Sequence, residues 1–272
     1  MGAQIMLHII NCFFIAAFSA AFGSFMGVVI ARVPRGESII SPGSHCDTCG
    51  HRLSWKDLIP IFSYLHLKGK CRYCGTKIGP QAIYLELAAI FGSWAVYWGL
   101  GGELTWTFAI FWAAWIISLG IIGIDWTEYF IPDGLIIALL VIGIASIWLG
   151  TINRSGITVT VSDRLLGFAS AFCLWFIFFV LKRILGHAVI GDGDLKLIAV
   201  WGLLMGWKLL IVGVVVGCIY AIAIEFIFKK KLKRDIVGRS IAIPFGPYLT
   251  AGFFTALFFG CQFIAWYMTL FA

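Results

Sequence analysis

Long apolar runs separated by short polar breaks set the plan of the chain. The first runs from about Ile5 to Ile30. Others follow at roughly 81–100, 105–125, 133–150, 163–181, 194–207, 209–228 and 243–270. Most approach the ~20 residues that a helix needs to cross a bilayer. Lipid offers backbone groups no hydrogen-bond partner, so an apolar run of this length predicts a helix. The pattern predicts an all-α polytopic membrane protein with about eight transmembrane helices. The run 194–207 is short and glycine-rich, which leaves a tilted, broken or re-entrant segment open there. A polar stretch over 31–80 interrupts the series. Three regions follow: a first transmembrane helix (1–30), a loop domain (31–80) and a helical membrane domain (81–272).

Composition sharpens this picture. The chain is 61% hydrophobic and 12% charged, against about 25% charged in soluble domains. The formal charge of +7 would suggest nucleic acid in a soluble protein, but cytoplasmic loops of membrane proteins concentrate Lys and Arg. With 31–80 inside and eight spans alternating, only Arg154, Arg164 and Lys208 of the twenty basic residues fall outside. The charge is therefore topological, not a nucleic-acid footprint. The loop is expected in the cytoplasm and both chain ends outside. The basic run Lys229–Arg234 reads as a topology determinant that also attracts anionic lipid. Met1 to His8 carries no Lys or Arg, so the first run reads as a retained helix rather than a signal peptide. Gly23, Ser24 and Gly27 in it mark close helix packing.

Charge inside this apolar sequence is rare. Ionisable residues at membrane depth are costly and default to functional candidates. Asp125 ends one apolar run, with Glu128, Pro132 and Asp133 just beyond it. Asp194 begins another, in Gly191-Asp192-Gly193-Asp194-Leu195-Lys196. The topology brings Asp125 and Asp194 to one membrane face at similar depth. Two carboxylates in contact share a proton, and such a pair activates water while hydrogen-bonding a carbonyl. The pair titrates as a unit, so neither residue is given a separate role. Gly191 and Gly193 suggest a tight turn and close approach of a substrate strand. Pro132 suggests the start of the next helix. Two plainer readings stand beside this one. Asp192, Asp194 and Asp133 suit helix N-termini, and a transporter's proton or cation path would also use an acidic pair. The transporter reading lacks inverted repeats and leaves the cysteine loop unexplained. Glu86, near the start of the second run, is a further buried acid that pairs with Lys77 or Lys196 or serves the chemistry. Lys196 is read as a lipid or helix-end contact, or as orienting the acidic pair.

The 31–80 stretch holds Cys46-x-x-Cys49 and Cys71-x-x-Cys74, each followed by Gly. The surrounding octets resemble each other, a small internal repeat. Paired Cys-x-x-Cys knuckles indicate a four-thiolate zinc site. A cytoplasmic setting disfavours a disulfide, and a redox dithiol does not explain the duplication. Four thiolates leave no open position, so the zinc is structural. It would staple a loop too small to build its own core. His45, His51 and His66 read as exposed loop residues, and Cys12, Cys173, Cys218 and Cys261 as small core residues. Pro244-Phe245-Gly246-Pro247 predicts a broken entry to the last helix.

Together these residues resemble a family. Gly191-x-Gly193-Asp194 matches the Gly-x-Gly-Asp motif of membrane aspartic proteases. Asp125 with Pro132-Asp133, Phe22-Gly23-Ser24-Phe25 with Arg32-Val33-Pro34, and the cysteine loop resemble the type IV prepilin peptidases, in order and over nearly the whole chain. The resemblance implies Asp125 and Asp194 as catalytic aspartates and leader removal from type IV prepilins or pseudopilins. It also implies N-methylation of the new N-terminus with S-adenosylmethionine, in the bacterial inner membrane with site and loop facing the cytoplasm. It mildly favours a place for Pro244–Tyr248 near the site. Peptidase activity without methylation is the alternative. No methyl-donor signature is visible.

Overall fold

The computed structural model describes residues 2–148, 150, 152–154, 157–185, 191–232 and 243–270. Each long apolar run is a helix: α1 (Gly2–Arg32), α3 (Gln81–Gly99), α4 (Trp106–Glu128), α5 (Asp133–Ile147), α6 (Val161–Leu185), α7 (Asp192–Met205), α8 (Trp207–Leu232) and α9 (Gly246–Thr269). The loop after α1 adds the short α2 (Phe62–His66). Between α5 and α6 lies an antiparallel hairpin, β1 (Ile152–Arg154) and β2 (Ile157–Val159), with Ile152 opposite Val159. That hairpin is outside the all-helical expectation, but two three-residue strands leave the protein helical in class.

Among the described residues, five helical segments are long and apolar enough to span: Gly2–Arg35, Trp106–Glu128, Val161–Ile184, Trp207–Ile227 and Gly246–Thr269. α5 is apolar but has 15 residues, and α3 and α7 are not among the five. Among the described residues eight long helices follow in the expected order, but five of them meet this criterion, so the expected count of eight spans is not confirmed. The protein is a polytopic membrane protein. Residues 233–242 and the side chains of Lys229–Leu232 lie outside the description, and with them the basic run.

The chain divides into two compact units, 1–120 and 121–272. In the first, α1 and α3 lie closely along each other. A Cβ on Gly23 would stand 2.8 Å from Ala89 Cβ and 3.1 Å from Glu86 Cα, so the small residue is what permits the approach. Polar groups pair across the helices: His8 Nδ1 and Asn11 Nδ2 both reach Tyr97 Oη, at 2.9 and 3.1 Å. Trp94 Nε1 donates to the Cys12 carbonyl, and Trp112 Nε1 to Ser19 Oγ.

In the second unit α7 is the core. Every residue from Ala199 to Met205 is buried, as expected of a helix that is apolar all round. Trp201 stacks on Phe253 of α9 and meets Phe254 edge-on, both at 5.1 Å between centroids. A Cβ on Gly202 would lie 2.6 Å from the Gly167 carbonyl carbon of α6, and one on Gly143 of α5 would lie 2.9 Å from Leu203 Cδ2. Arg164, in the first turn of α6, is fully buried and donates through Nη1 to the Ser146 carbonyl at 2.6 Å. Cys261 is buried but Cys173 is exposed, so the isolated cysteines are not all core residues as expected.

Candidate active site and metal centre

The acidic site is built from the ends of three helices in the second unit. Asp125 lies near the end of α4 and is 4% exposed. Tyr129, at φ 58, breaks that helix one turn later. The extended Ile131-Pro132 segment follows, with Pro132 at φ −65, ψ 131 immediately before α5. Asp194 sits in the first turn of α7, half-buried, where the helix dipole favours a carboxylate. Ile131 lies against both sides of this site, beside Gly246 at the Asp125 carboxylate and beside Gly193 next to Asp194.

The third helix end is α9. The backbone N–H of Gly246 donates to Asp125 Oδ2 at 2.8 Å, within the buried interior. Packing here leaves no room for a side chain: a Cβ on Gly246 would stand 2.9 Å from that oxygen and 3.2 Å from Ile131 Cδ1. Ile131 also reaches α7, because a Cβ on Gly193 would lie 2.9 Å from Ile131 Cβ. One buried isoleucine therefore spaces α9 from the start of α7. The family resemblance favoured the Pro244–Tyr248 stretch near the site, but neither Gly246 nor Ile131 was given a role of its own. The broken Pro-Phe-Gly-Pro entry was the available signal for Gly246, and Ile131 carried none.

The motif glycines serve space rather than the tight turn expected of them. Gly191 has φ −62, open to any residue, and Gly193 lies inside α7. A Cβ on Gly191 would lie 2.6 Å from Asp194 Oδ2, so the carboxylate folds back over it. The flanking charges are engaged. Lys196 Nζ pairs with Asp133 Oδ1, and Lys182 Nζ with Asp192 Oδ2, each at 2.6 Å. Lys196 thus braces α7 against α5.

Glu86 lies in the first unit, 5% exposed. Its Oε2 accepts the Ile61 N–H at 2.7 Å, and the Ser24 hydroxyl also bonds this carboxylate. Its described partners are an amide and a hydroxyl rather than Lys77 or Lys196, the lysines left open by the sequence.

The cysteine loop forms two matching knuckles. Gly50 N–H returns to the Cys46 carbonyl and Gly75 N–H to that of Cys71, at 2.8 and 3.0 Å. Gly50 and Gly75 take φ 69 and 73, the left-handed region that disfavours a side chain. The bridges His45–Arg52 and Lys70–Lys77 close both knuckles. All four Sγ atoms lie within 4.8 Å of one another, with Cys46 and Cys74 at 3.8 Å. Tetrahedral thiolates at ~2.3 Å from an ion would be separated by about 3.8 Å, so the cluster fits a metal. Thr76, through its hydroxyl and N–H, favours the Cys74 thiolate and pulls its pKa down to about 6. His51 lies outside the four-thiolate group and packs at a tilt on Tyr73, centroids 3.6 Å apart, joining the knuckles. Asp57 joins them to the intervening turn. It accepts from Ser54 Oγ, Arg72 Nε and Tyr73 Oη, and the Ser54 hydroxyl and Arg72 hold its carboxyl well below the usual range.

Fold and site define a class: a multi-helix membrane protein with carboxylates gathered at helix ends and a four-cysteine cluster whose spacing fits a metal. The chain matches the family model for the bacterial peptidase A24 N-terminal domain over residues 17–100 and that for the type IV leader peptidase family over residues 108–226. It is 30% identical to a prepilin leader peptidase/N-methyltransferase of Pseudomonas aeruginosa, covering 90% of this chain and 89% of that one. The protein of that name from Dichelobacter nodosus is 30% identical over 93% of both chains. The one from Burkholderia pseudomallei is 32% identical over 85% of this chain and 72% of its own. No solved structure matches. The chain belongs to the type IV leader peptidase family.

Proposed function

We propose that this protein removes the leader of type IV prepilins or pseudopilins through Asp125 and Asp194, and methylates the N-terminus so exposed. The carrying observation is the arrangement itself: carboxylates at the ends of α4 and α7 gathered around Ile131, one of them pinned by the Gly246 N–H. With one proton shared, the ionised partner takes a proton from water as it attacks the scissile carbonyl, and the protonated partner hydrogen-bonds the carbonyl oxygen. Return of a proton to the leaving amine frees the new N-terminus. Gly191, Gly193, Pro132, Asp133 and Lys196 support the pair by space and bracing.

S-adenosylmethionine supplies the methyl group. Bound to the protein, it would supply that methyl group to the amine that leader removal exposes. Cys46, Cys49, Cys71 and Cys74 would hold zinc, whose binding would fold the loop domain. Counting basic residues supports a cytoplasmic loop and site in the bacterial inner membrane.

The test is a prepilin co-expressed with the full chain, its product read by intact mass and N-terminal sequence. Wild type yields a shortened, singly methylated product, and Asp125→Ala and Asp194→Ala, inserted normally, yield uncleaved prepilin. Unimpaired cleavage by both variants would refute the assignment. If no prepilin is processed, uptake into proteoliposomes dependent on both aspartates would favour a transporter.

A further inference from the structure

Three features without a part in leader removal meet at one point of the first unit. Gly23 and Ser24 of α1 lie against Glu86 of α3, and Glu86 accepts the Ile61 N–H from the cysteine loop. Ile61 has φ 63, ψ −54, and Phe62 N–H reaches back to the Pro60 carbonyl at 2.6 Å. This is a γ-turn of the rare positive-φ kind, centred on a β-branched residue. Such strain persists only where the surroundings impose it, and it gathers at functional sites. The visible restraint is the buried Glu86 carboxylate. An unbroken path also runs from the knuckles to this turn. Arg72 and Tyr73 of the second knuckle hold Asp57, and the Asp57 turn leads through Pro60 to Ile61.

We infer that Glu86 is a positioning residue for N-methylation, holding the Ile61 turn in its strained form and with it the cysteine loop in the arrangement methyl transfer requires. The inference rests on the bifunctional reading above. Leader removal has its carboxylates in the second unit, and the first unit contributes neither of them. The polar site built into the first unit is therefore assigned to the second activity. Glu86 acts through the turn. Its described partners are the Ile61 amide and Ser24, and no cation faces it among the described residues of its unit.

The consequence is specific. If the carboxylate serves to hold a positive-φ residue, a residue that adopts positive φ freely will need it less. The experiment uses the full chain co-expressed with a prepilin, with cleavage and methylation of the product scored separately. Glu86→Ala is expected to lose methylation by about tenfold or more while cleavage stays within about twofold. Ile61→Gly alone keeps both activities. The double variant Glu86→Ala/Ile61→Gly regains methylation, and Glu86→Gln, which still accepts the N–H, retains it.

Cleavage and methylation falling together in Glu86→Ala would overturn the inference, as would full methylation by that variant. A double variant as inactive as Glu86→Ala would also overturn it, because Glu86 would then act directly rather than through the turn. A wild-type product that is cleaved yet unmethylated would instead refute the methylation half of the proposed function, and this inference with it.

Discussion

Gly246 contributes no side chain, yet its amide is the described hydrogen-bond donor to the buried Asp125 carboxylate. A methyl group there would press on Asp125 Oδ2 and Ile131 together. Gly246→Ala is expected to displace the carboxylate and lower leader removal by about 100-fold, since a shift of about 1 Å has that scale of effect on a positioned group. Normal insertion with near-wild-type cleavage rates would contradict it. At this scale the sequence was readable wherever charge or sulfur stood out against apolar surroundings, as at Asp125, Asp194, Glu86 and the four paired cysteines. It was not readable where the contribution is a backbone amide or an unusual φ. The Pro244–Tyr248 stretch was expected near the site, but nothing in it marks the Gly246 amide as a donor, and nothing in Pro60-Ile61-Phe62 announces a strained turn, because that conformation is imposed by Glu86, twenty-five residues further on.

Among elements, α7 is the one on which the acidic site depends. It presents Asp194 at its first turn and buries its later turns against α5, α6 and α9. Its seat on α6 is a backbone contact between Gly202 and Gly167. Gly202→Leu would force the helices apart, and overpacking of this kind costs about 1–3 kcal/mol. The expected result is a lower unfolding temperature together with loss of leader removal, both measured on the detergent-solubilised chain. Retained stability and activity would show that the contact is dispensable. The helix was legible as an apolar run, but its central position was not. Periodicity identifies a helix by its buried face, and α7 is buried nearly all round, which makes it resemble a short membrane segment. The β1–β2 hairpin lies in a polar connection where no periodic pattern marks three-residue strands.

For the whole molecule, the chain divides into a unit carrying the four-cysteine cluster and a unit carrying the carboxylates. Composition did not reveal this boundary, because it falls inside α4, in continuous apolar sequence. The loop domain was visible through its change of character at 31–80. Removing the metal with a chelator is expected to unfold the loop and leave α7 intact, since thiolate sites of this kind contribute folding energy where ligands are few and cores small. Hydrogen exchange on the full chain would then accelerate strongly in 44–78 and stay slow in Ala199–Met205. Equal acceleration in both regions would show a single cooperative structure.

Arg164 bears on how such a chain enters its membrane. Its guanidinium is sealed in protein, with one nitrogen on the last turn of α5. A lone arginine in the middle of a helix costs about 2.5–3.5 kcal/mol at insertion, and less towards the helix end. α5, at 15 residues, is itself short of a bilayer crossing. Each segment lacks what the other supplies: α5 a longer neighbour, α6 an acceptor for its buried charge. The two are therefore expected to leave the translocation channel together, as a hairpin, with synthesis of α6 the event that commits α5 to the lipid.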